Sequence, residues 1–124
     1  MKLLGNLCNI EKRTDNADCT VFTVNLDKNH FIYKAHFPGE PITPGACLFQ
    51  ICTELLEESL GRKVCIKTVK NVKFLQVIRP EETSTLDVSI ATSALDNSGV
   101  RLKSSVSSGD TLFAHISLTF TIED

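Results

Sequence analysis

An α+β fold, one long helix early in the chain with an antiparallel β-sheet after it, is what this sequence predicts. Two observations predict it. The stretch 43–60 combines helix-start chemistry, apolar residues at helical spacing and a glycine at its end. Most of the chain beyond Gly61 alternates apolar and polar residues with a period of two, interrupted by turn residues. That is the pattern of half-buried strands. A length of 124 residues suits one domain with one core, so 1–124 is read as a single domain.

The elements follow in order. Residues 19–27 alternate, with Phe22, Val24 and Leu26 on one side, and read as a strand. A short extended piece is expected over 30–35, with His30 solvent-facing in a polar connection. Thr43 is the candidate helix cap and Pro44 suits the first helical position. The helix runs to about Leu60, where Gly61 is a natural stop. Leu48, Ile51, Cys52, Leu55 and Ser59 form its buried stripe. Residues 64–78 read as one long strand whose phase shifts near Thr68 and Val69, which predicts a bulge or bend. Residues 85–93 alternate with Leu86, Val88 and Ile90 inward, and residues 100–107 with Val100, Leu102 and Val106 on one face. Asp96-Asn97-Ser98-Gly99 and Ser108-Gly109-Asp110 are turns. Residues 112–122 make the cleanest strand, apolar at every even position. Three or four strands in a meander, wrapping a helix that is apolar over much of its circumference, complete the expected architecture.

Composition narrows the function. Apolar residues make up 42% of the chain, enough for a packed core. Net charge is −2 with both signs interspersed, which argues against nucleic-acid or membrane-surface binding. The opening MKLLGNLCNIEKR has too short an apolar run for a secretory signal. No segment approaches the ~20 apolar residues of a membrane helix. The five cysteines are odd in number and form no CxxC, so neither a disulfide framework nor a zinc site is expected. A reducing cytoplasm is the simplest reading.

The segment His36-Phe37-Pro38-Gly39-Glu40-Pro41-Ile42-Thr43-Pro44-Gly45 carries the chemistry. It puts a histidine just ahead of a turn stiffened by prolines, and the turn feeds a helix N-terminus. A histidine held beside free backbone N–H groups suits acid–base work next to a carbonyl oxygen. HFPGxPxxPG followed by an apolar helix resembles the signature of the (3R)-hydroxyacyl-[acyl-carrier-protein] dehydratases, which have a hot-dog fold: a long central helix wrapped by a curved antiparallel sheet. The resemblance implies dehydration of a 3-hydroxyacyl thioester to the trans-2-enoyl thioester, carried on an acyl carrier protein, with no metal or redox cofactor. It also implies a homodimer or a trimer of dimers.

The resemblance assigns roles residue by residue. His36 would remove the α-proton, and Gly45 would aim its N–H at the thioester oxygen, with Ala46 beside it. Phe37 would line the substrate site. The family places a carboxylate fourteen residues after the histidine, where this chain has Gln50. Glu54 lies one helical turn further on, so the chain swaps the usual order of acid and amide. An amide cannot surrender a proton, and Glu54 is the candidate replacement. Against that, Gln50, Glu54, Glu57 and Glu58 form one polar stripe, which is the pattern of solvated surface. Cys47 near His36 invites a Cys–His nucleophile reading, but buried packing is the commoner role for such a cysteine. His115 is expected to face solvent. Lys70, Lys73, Arg79, Arg101 and Lys103 are candidates to meet an acidic carrier. A hot-dog thioesterase, with Glu54 activating water, and a non-catalytic acyl-binding relative that lost its acid at Gln50 are the competing readings.

Overall fold

The computed structural model describes residues 2–35, 39–95 and 99–123. The elements are β1 (Cys8–Asp15), β2 (Thr20–Leu26), α1 (Ile32–Ala35), α2 (Gly45–Leu60), β3 (Val64–Phe74), β4 (Thr85–Leu95), β5 (Gly99–Ser108) and β6 (Thr111–Ile122). Among the described residues, six strands form one sheet in the order β1-β2-β4-β5-β6-β3, and every pairing is antiparallel.

The inward positions read from the alternation are buried: Phe22, Val24 and Leu26 on β2, Leu86, Val88 and Ile90 on β4, Val100, Leu102 and Val106 on β5, and Ala114, Ile116, Leu118 and Phe120 on β6. They share one core with Leu48, Ile51, Cys52, Leu55 and Leu56 of α2. Truncating a fully buried leucine such as Leu55 to alanine costs about 2–5 kcal/mol. The helix ends as expected, on Gly61 at φ 67°, whose N–H bonds to the Glu57 carbonyl at 2.8 Å. Positive φ costs glycine little, which is why it suits this cap.

Four features differ from the sequence reading. First, β1 was not anticipated. It is an edge strand whose side chains are exposed from Asn9 onward, so it shows no alternation. Second, the piece expected to be extended over 30–35 contains the short helix α1, which buries Ile32 and Tyr33. His30 does not face solvent: it is 6% exposed, with Nε2 3.0 Å from Asn6 Oδ1 and Nδ1 accepting the Ile32 N–H at 3.1 Å. Third, Thr43 does not cap α2 through its side chain. The N-cap is Pro44, no side chain among the described residues caps the helix, and the Thr43 hydroxyl lies 2.9 Å from the Tyr33 hydroxyl. Fourth, the strand expected over 64–78 ends at Phe74, while β4, β5 and β6 make the expected three-strand meander. β3 crosses to pair with β6 at the far edge.

The phase shift expected in the strand after the helix is real. The β3–β6 register slips between Ile66 and Thr68 and again between Val69 and Asn71. Lys67 and Lys70 are the extra residues at these bulges. The turn residues Asp96, Asn97 and Ser98 lie outside the described residues.

Candidate active site

The site is built around the first half of α2. Pro44, at φ −61° and ψ 141°, is the last extended residue, and Gly45 opens the helix. A helix start leaves its first N–H groups without intrahelical partners and carries partial positive charge. Among the described residues no side chain caps this one, which leaves the N-terminus open to a negatively polarised oxygen. Gly45 leaves room for a neighbouring ring. A Cβ on it would stand 2.7 Å from Cζ of Phe74, at the end of β3. The Phe74 ring is tilted against that of Phe49, with centroids 6.2 Å apart, and remains 53% exposed on its other side.

One turn further, Gln50 and Glu54 meet. Gln50 Nε2 donates to Glu54 Oε2 at 2.8 Å. Glu54 is only 4% exposed, so it is not part of a solvated stripe, whereas Glu58 is exposed and Glu57 half-buried. The Glu54 carboxylate also accepts the Leu3 N–H, at 3.0 Å and 2.8 Å to its two oxygens, and the Leu4 N–H at 2.8 Å. Burial of a carboxylate is tolerable only with such donors. Glu57 Oε2 accepts the Val64 N–H at 3.0 Å and so ties the helix to the start of β3. Gln50, Thr53 and Glu54 line a groove of about 770 Å³ with Leu4, Val64 and Ile66.

His36 and Phe37 lie outside the described residues, as does Pro38. The chain on either side is fixed. Tyr33 and Thr43, both buried, share the 2.9 Å hydroxyl contact. The Thr43 N–H bonds to the Ile78 carbonyl at 2.8 Å, and Arg79 Nη1 lies 2.9 Å from Glu40 Oε1. The structure therefore brings Gly45, Ala46, Gln50 and Glu54 to one helix, with the His36 segment bounded by a tied base. Tyr33, Thr43 and the amides of Leu3 and Leu4 were not found from the sequence. The Leu3–Glu54 bond spans 51 residues, and no local pattern encodes it.

The other candidates separate. Burial pushes the Cys47 thiol above its ordinary value, which works against a thiolate nucleophile. His115 is exposed, as expected. Arg101 is half-buried on β5, while Lys70, Lys73 and Lys103 are exposed. No helix of the described residues is long and apolar enough to cross a membrane.

A family model described as ApeI-like, ApeI dehydratase, matches residues 11–112. Among curated proteins, the 3-hydroxyacyl-[acyl-carrier-protein] dehydratase FabZ of Clostridium acetobutylicum is 30% identical over 73 residues, which cover 53% of this chain and 52% of that protein. That match spans about half the relative's length. The FabZ of Lactiplantibacillus plantarum is 25% identical over 113 residues, covering 86% of this chain and 76% of that protein. Among solved structures, the dehydratase heterocomplex ApeI:P from Xenorhabdus doucetiae superposes with a TM-score of 0.72 at 17% identity, covering 90% of this chain and 96% of that one. A hypothetical thioesterase with coenzyme A from Streptococcus pneumoniae TIGR4 superposes with a TM-score of 0.65 at 14% identity, covering 94% and 85%. At these identities the two structures speak for the fold, which is the hot-dog fold.

Proposed function

The chain belongs to the ApeI-like dehydratase family, and from that premise we propose that it converts a 3-hydroxyacyl thioester to the trans-2-enoyl thioester. The substrate rides on the phosphopantetheine arm of an acyl carrier protein. The observation that carries the reading is the pairing of Gln50 with the buried Glu54 one turn from an uncapped helix start at Gly45. In this scheme His36 takes the α-proton. The thioester oxygen gains negative charge against the N–H of Gly45. The Cβ–O bond then breaks, and the hydroxyl leaves as water with a proton from Glu54, passed directly or through a water held by Gln50. The α-carbon lone pair becomes the new double bond, so protons and electrons balance without a redox or metal cofactor. The cytoplasm is the compartment this reading adopts, in keeping with five free thiols.

By family geometry His36 of one subunit faces the helix carboxylate of another, so each site needs two hot-dog chains. A homodimer or a trimer of dimers is the simplest assembly, although the solved relative from Xenorhabdus is a heterocomplex.

The test is turnover of a 3-hydroxyacyl thioester, followed by enoyl absorbance beside a free-thiol assay for hydrolysis. The expected result is enoyl product, lost in His36→Ala with the fold retained. Thiol release without enoyl product is the thioesterase outcome. Neither activity is the outcome for an acyl-binding relative, and either result defeats the proposal.

A further inference from the structure

Gln50 and Glu54 line one groove, but only Gln50 has an acceptor to spare there. Among the described residues, every hydrogen bond of the Glu54 carboxylate comes from an N–H group. Oε1 accepts the amides of Leu3 and Leu4, at 3.0 and 2.8 Å, and Oε2 accepts those of Leu3 and Gln50, each at 2.8 Å. A carboxylate has about four lone-pair sites, so these contacts use up its capacity. The neighbouring Thr53 hydroxyl is engaged too, donating to the Phe49 carbonyl at 2.8 Å. Gln50 differs. Its Nε2 is committed to Glu54, while its Oε1 accepts no hydrogen bond among the described residues and is not buried.

The direction of that amide is fixed. A carboxylate only accepts, so the nitrogen of Gln50 faces it and the carbonyl oxygen faces away. The carboxylate in turn cannot swing, because backbone amides about fifty residues earlier hold both of its oxygens. A glutamine at a surface presents donor and acceptor by turns; this one presents an acceptor. Gln50 lies five residues beyond Gly45, about 7.5 Å along the axis. Helical side chains lean toward the N-terminus, so the Gln50 oxygen serves the same end of α2 as the Gly45 N–H.

We propose that Gln50 reads the 3-substituent of the acyl chain, that it reads it as a hydrogen-bond donor, and that Glu54 with the Leu3 and Leu4 amides fixes this polarity. Gln50 is then a specificity-determining residue and Glu54 its positioning residue. The proposal rests on the acyl-thioester reading of the site. With the thioester oxygen at Gly45, a hydroxyl two carbons along gives its hydrogen to Gln50 Oε1. A 3-oxo group in the same place has no hydrogen to give and sets one carbonyl oxygen against another. The site therefore admits 3-hydroxyacyl chains and turns away their 3-oxo counterparts. This polarity belongs to the ionised carboxylate and governs recognition, ahead of any proton transfer.

Binding, not turnover, tests it. The probes are pantetheine conjugates with an amide in place of the thioester. They carry a 3-hydroxyacyl, a 3-oxoacyl or a plain acyl chain of equal length, and calorimetry gives their affinities for the protein in its own assembly. Wild type should bind the 3-hydroxy probe about tenfold or more tighter than either of the others. Glu54→Gln lets the Gln50 amide turn over, so an N–H now faces the groove. A hydroxyl can accept as well as donate. The 3-hydroxy probe should therefore keep its affinity, while the 3-oxo probe gains about tenfold and draws level. A general loosening of the site would weaken all three probes alike and cannot raise the affinity of one. Gln50→Leu should abolish the preference for the 3-hydroxy probe, and it gives the answer if Glu54→Gln does not fold. A wild-type protein that binds the 3-oxo probe as tightly as the 3-hydroxy probe, or binds none of the three, overturns the proposal. So does a folded Glu54→Gln protein that still excludes the 3-oxo probe. Enoyl formation is measured apart. Discrimination without enoyl product leaves the Gln50 assignment standing and removes the dehydratase reading, and enoyl product without discrimination does the reverse.

Discussion

Glu54 is asked to do two things, and a pair of substitutions separates them. Its carboxylate accepts the amides of Leu3 and Leu4 and the side-chain amide of Gln50. In Glu54→Gln one oxygen remains. It can keep both backbone amides, because Leu3 already reaches either oxygen. Gln50 needs only to turn its amide over to meet the new NH2 group. The loss is then the charge-assisted part of these bonds, offset by the easier burial of a neutral group, and amounts to about 1 kcal/mol. For a domain of this size that is a fall in Tm of roughly 3–5 °C. The proton is lost altogether, so turnover should drop about 10²-fold or more if Glu54 is the acid. Glu54→Ala removes the acceptor as well. Two backbone donors are left without it, at about 1–3 kcal/mol each, and the melting point should fall by roughly 8–20 °C on the same scale. The assays are scanning calorimetry and enoyl formation on the same preparations. A Glu54→Gln protein that melts and turns over like wild type removes the acid role. A Glu54→Ala protein with an unchanged melting point refutes the anchoring argument drawn from the hydrogen bonds.

Three further outcomes are expected. Gln50→Glu restores a carboxylate fourteen residues after His36, where the family carries its acid; the variant should keep or raise turnover, and a rate more than about tenfold below wild type counts against Gln50 occupying the acid's place. Gly45→Ala drives a Cβ to 2.7 Å from the tip of the Phe74 ring, which is half exposed and has room to turn, and should cost about 1 kcal/mol, the low end for overpacking, most of it recovered in a Phe74→Leu background; a double-mutant cycle with no coupling between the two would refute the contact. In the folded protein at mildly alkaline pH, an alkylating reagent followed by mass spectrometry should label exposed Cys65 first and leave three cysteines untouched, because burial raises Cys47, pushes Cys52 to about 11 and, with Glu54 and Cys47 nearby, pushes Cys8 to about 12; a raised value leaves little thiolate below it, and Cys47 labelling as fast as Cys65 would reopen the nucleophile reading.

The sequence carried those parts of the fold that rest on local rules. Alternation on β2, β4, β5 and β6 exposed the core faces because each strand buries one side. Gly61 marked the end of α2 because only a left-handed residue closes it. The bulges of β3 left a visible break in its phase. What stayed hidden depends on distant partners. β1 exposes nearly all its side chains and has no face to betray it. His30 looked like a polar loop residue until Asn6 and the Ile32 amide supplied its partners. Glu54 looked like one charge among several on a helix face. Its burial is set by backbone donors about fifty residues earlier, which no periodicity records. The swap of Gln50 and Glu54 was legible as letters, and the hydrogen bond between them shows that the two side chains answer each other.

The tie between Leu3 and Glu54 also bears on the order in which the chain folds. A contact 51 residues apart cannot form while the helix is still unmade. At a synthesis rate of about 5–20 residues per second the carboxylate arrives roughly 3–10 s after the amide it will receive. Through that interval Leu3, Leu4 and Leu7, which end buried or half-buried, have no core to enter. β1 and β2 can pair meanwhile, since their residues are near neighbours in the chain. The charged side chains of Lys2, Glu11, Lys12 and Arg13 flank the waiting leucines and discourage them from sticking to other nascent chains. Docking of the N-terminal segment thus waits for the helix, and the buried carboxylate is the latch that registers its completion.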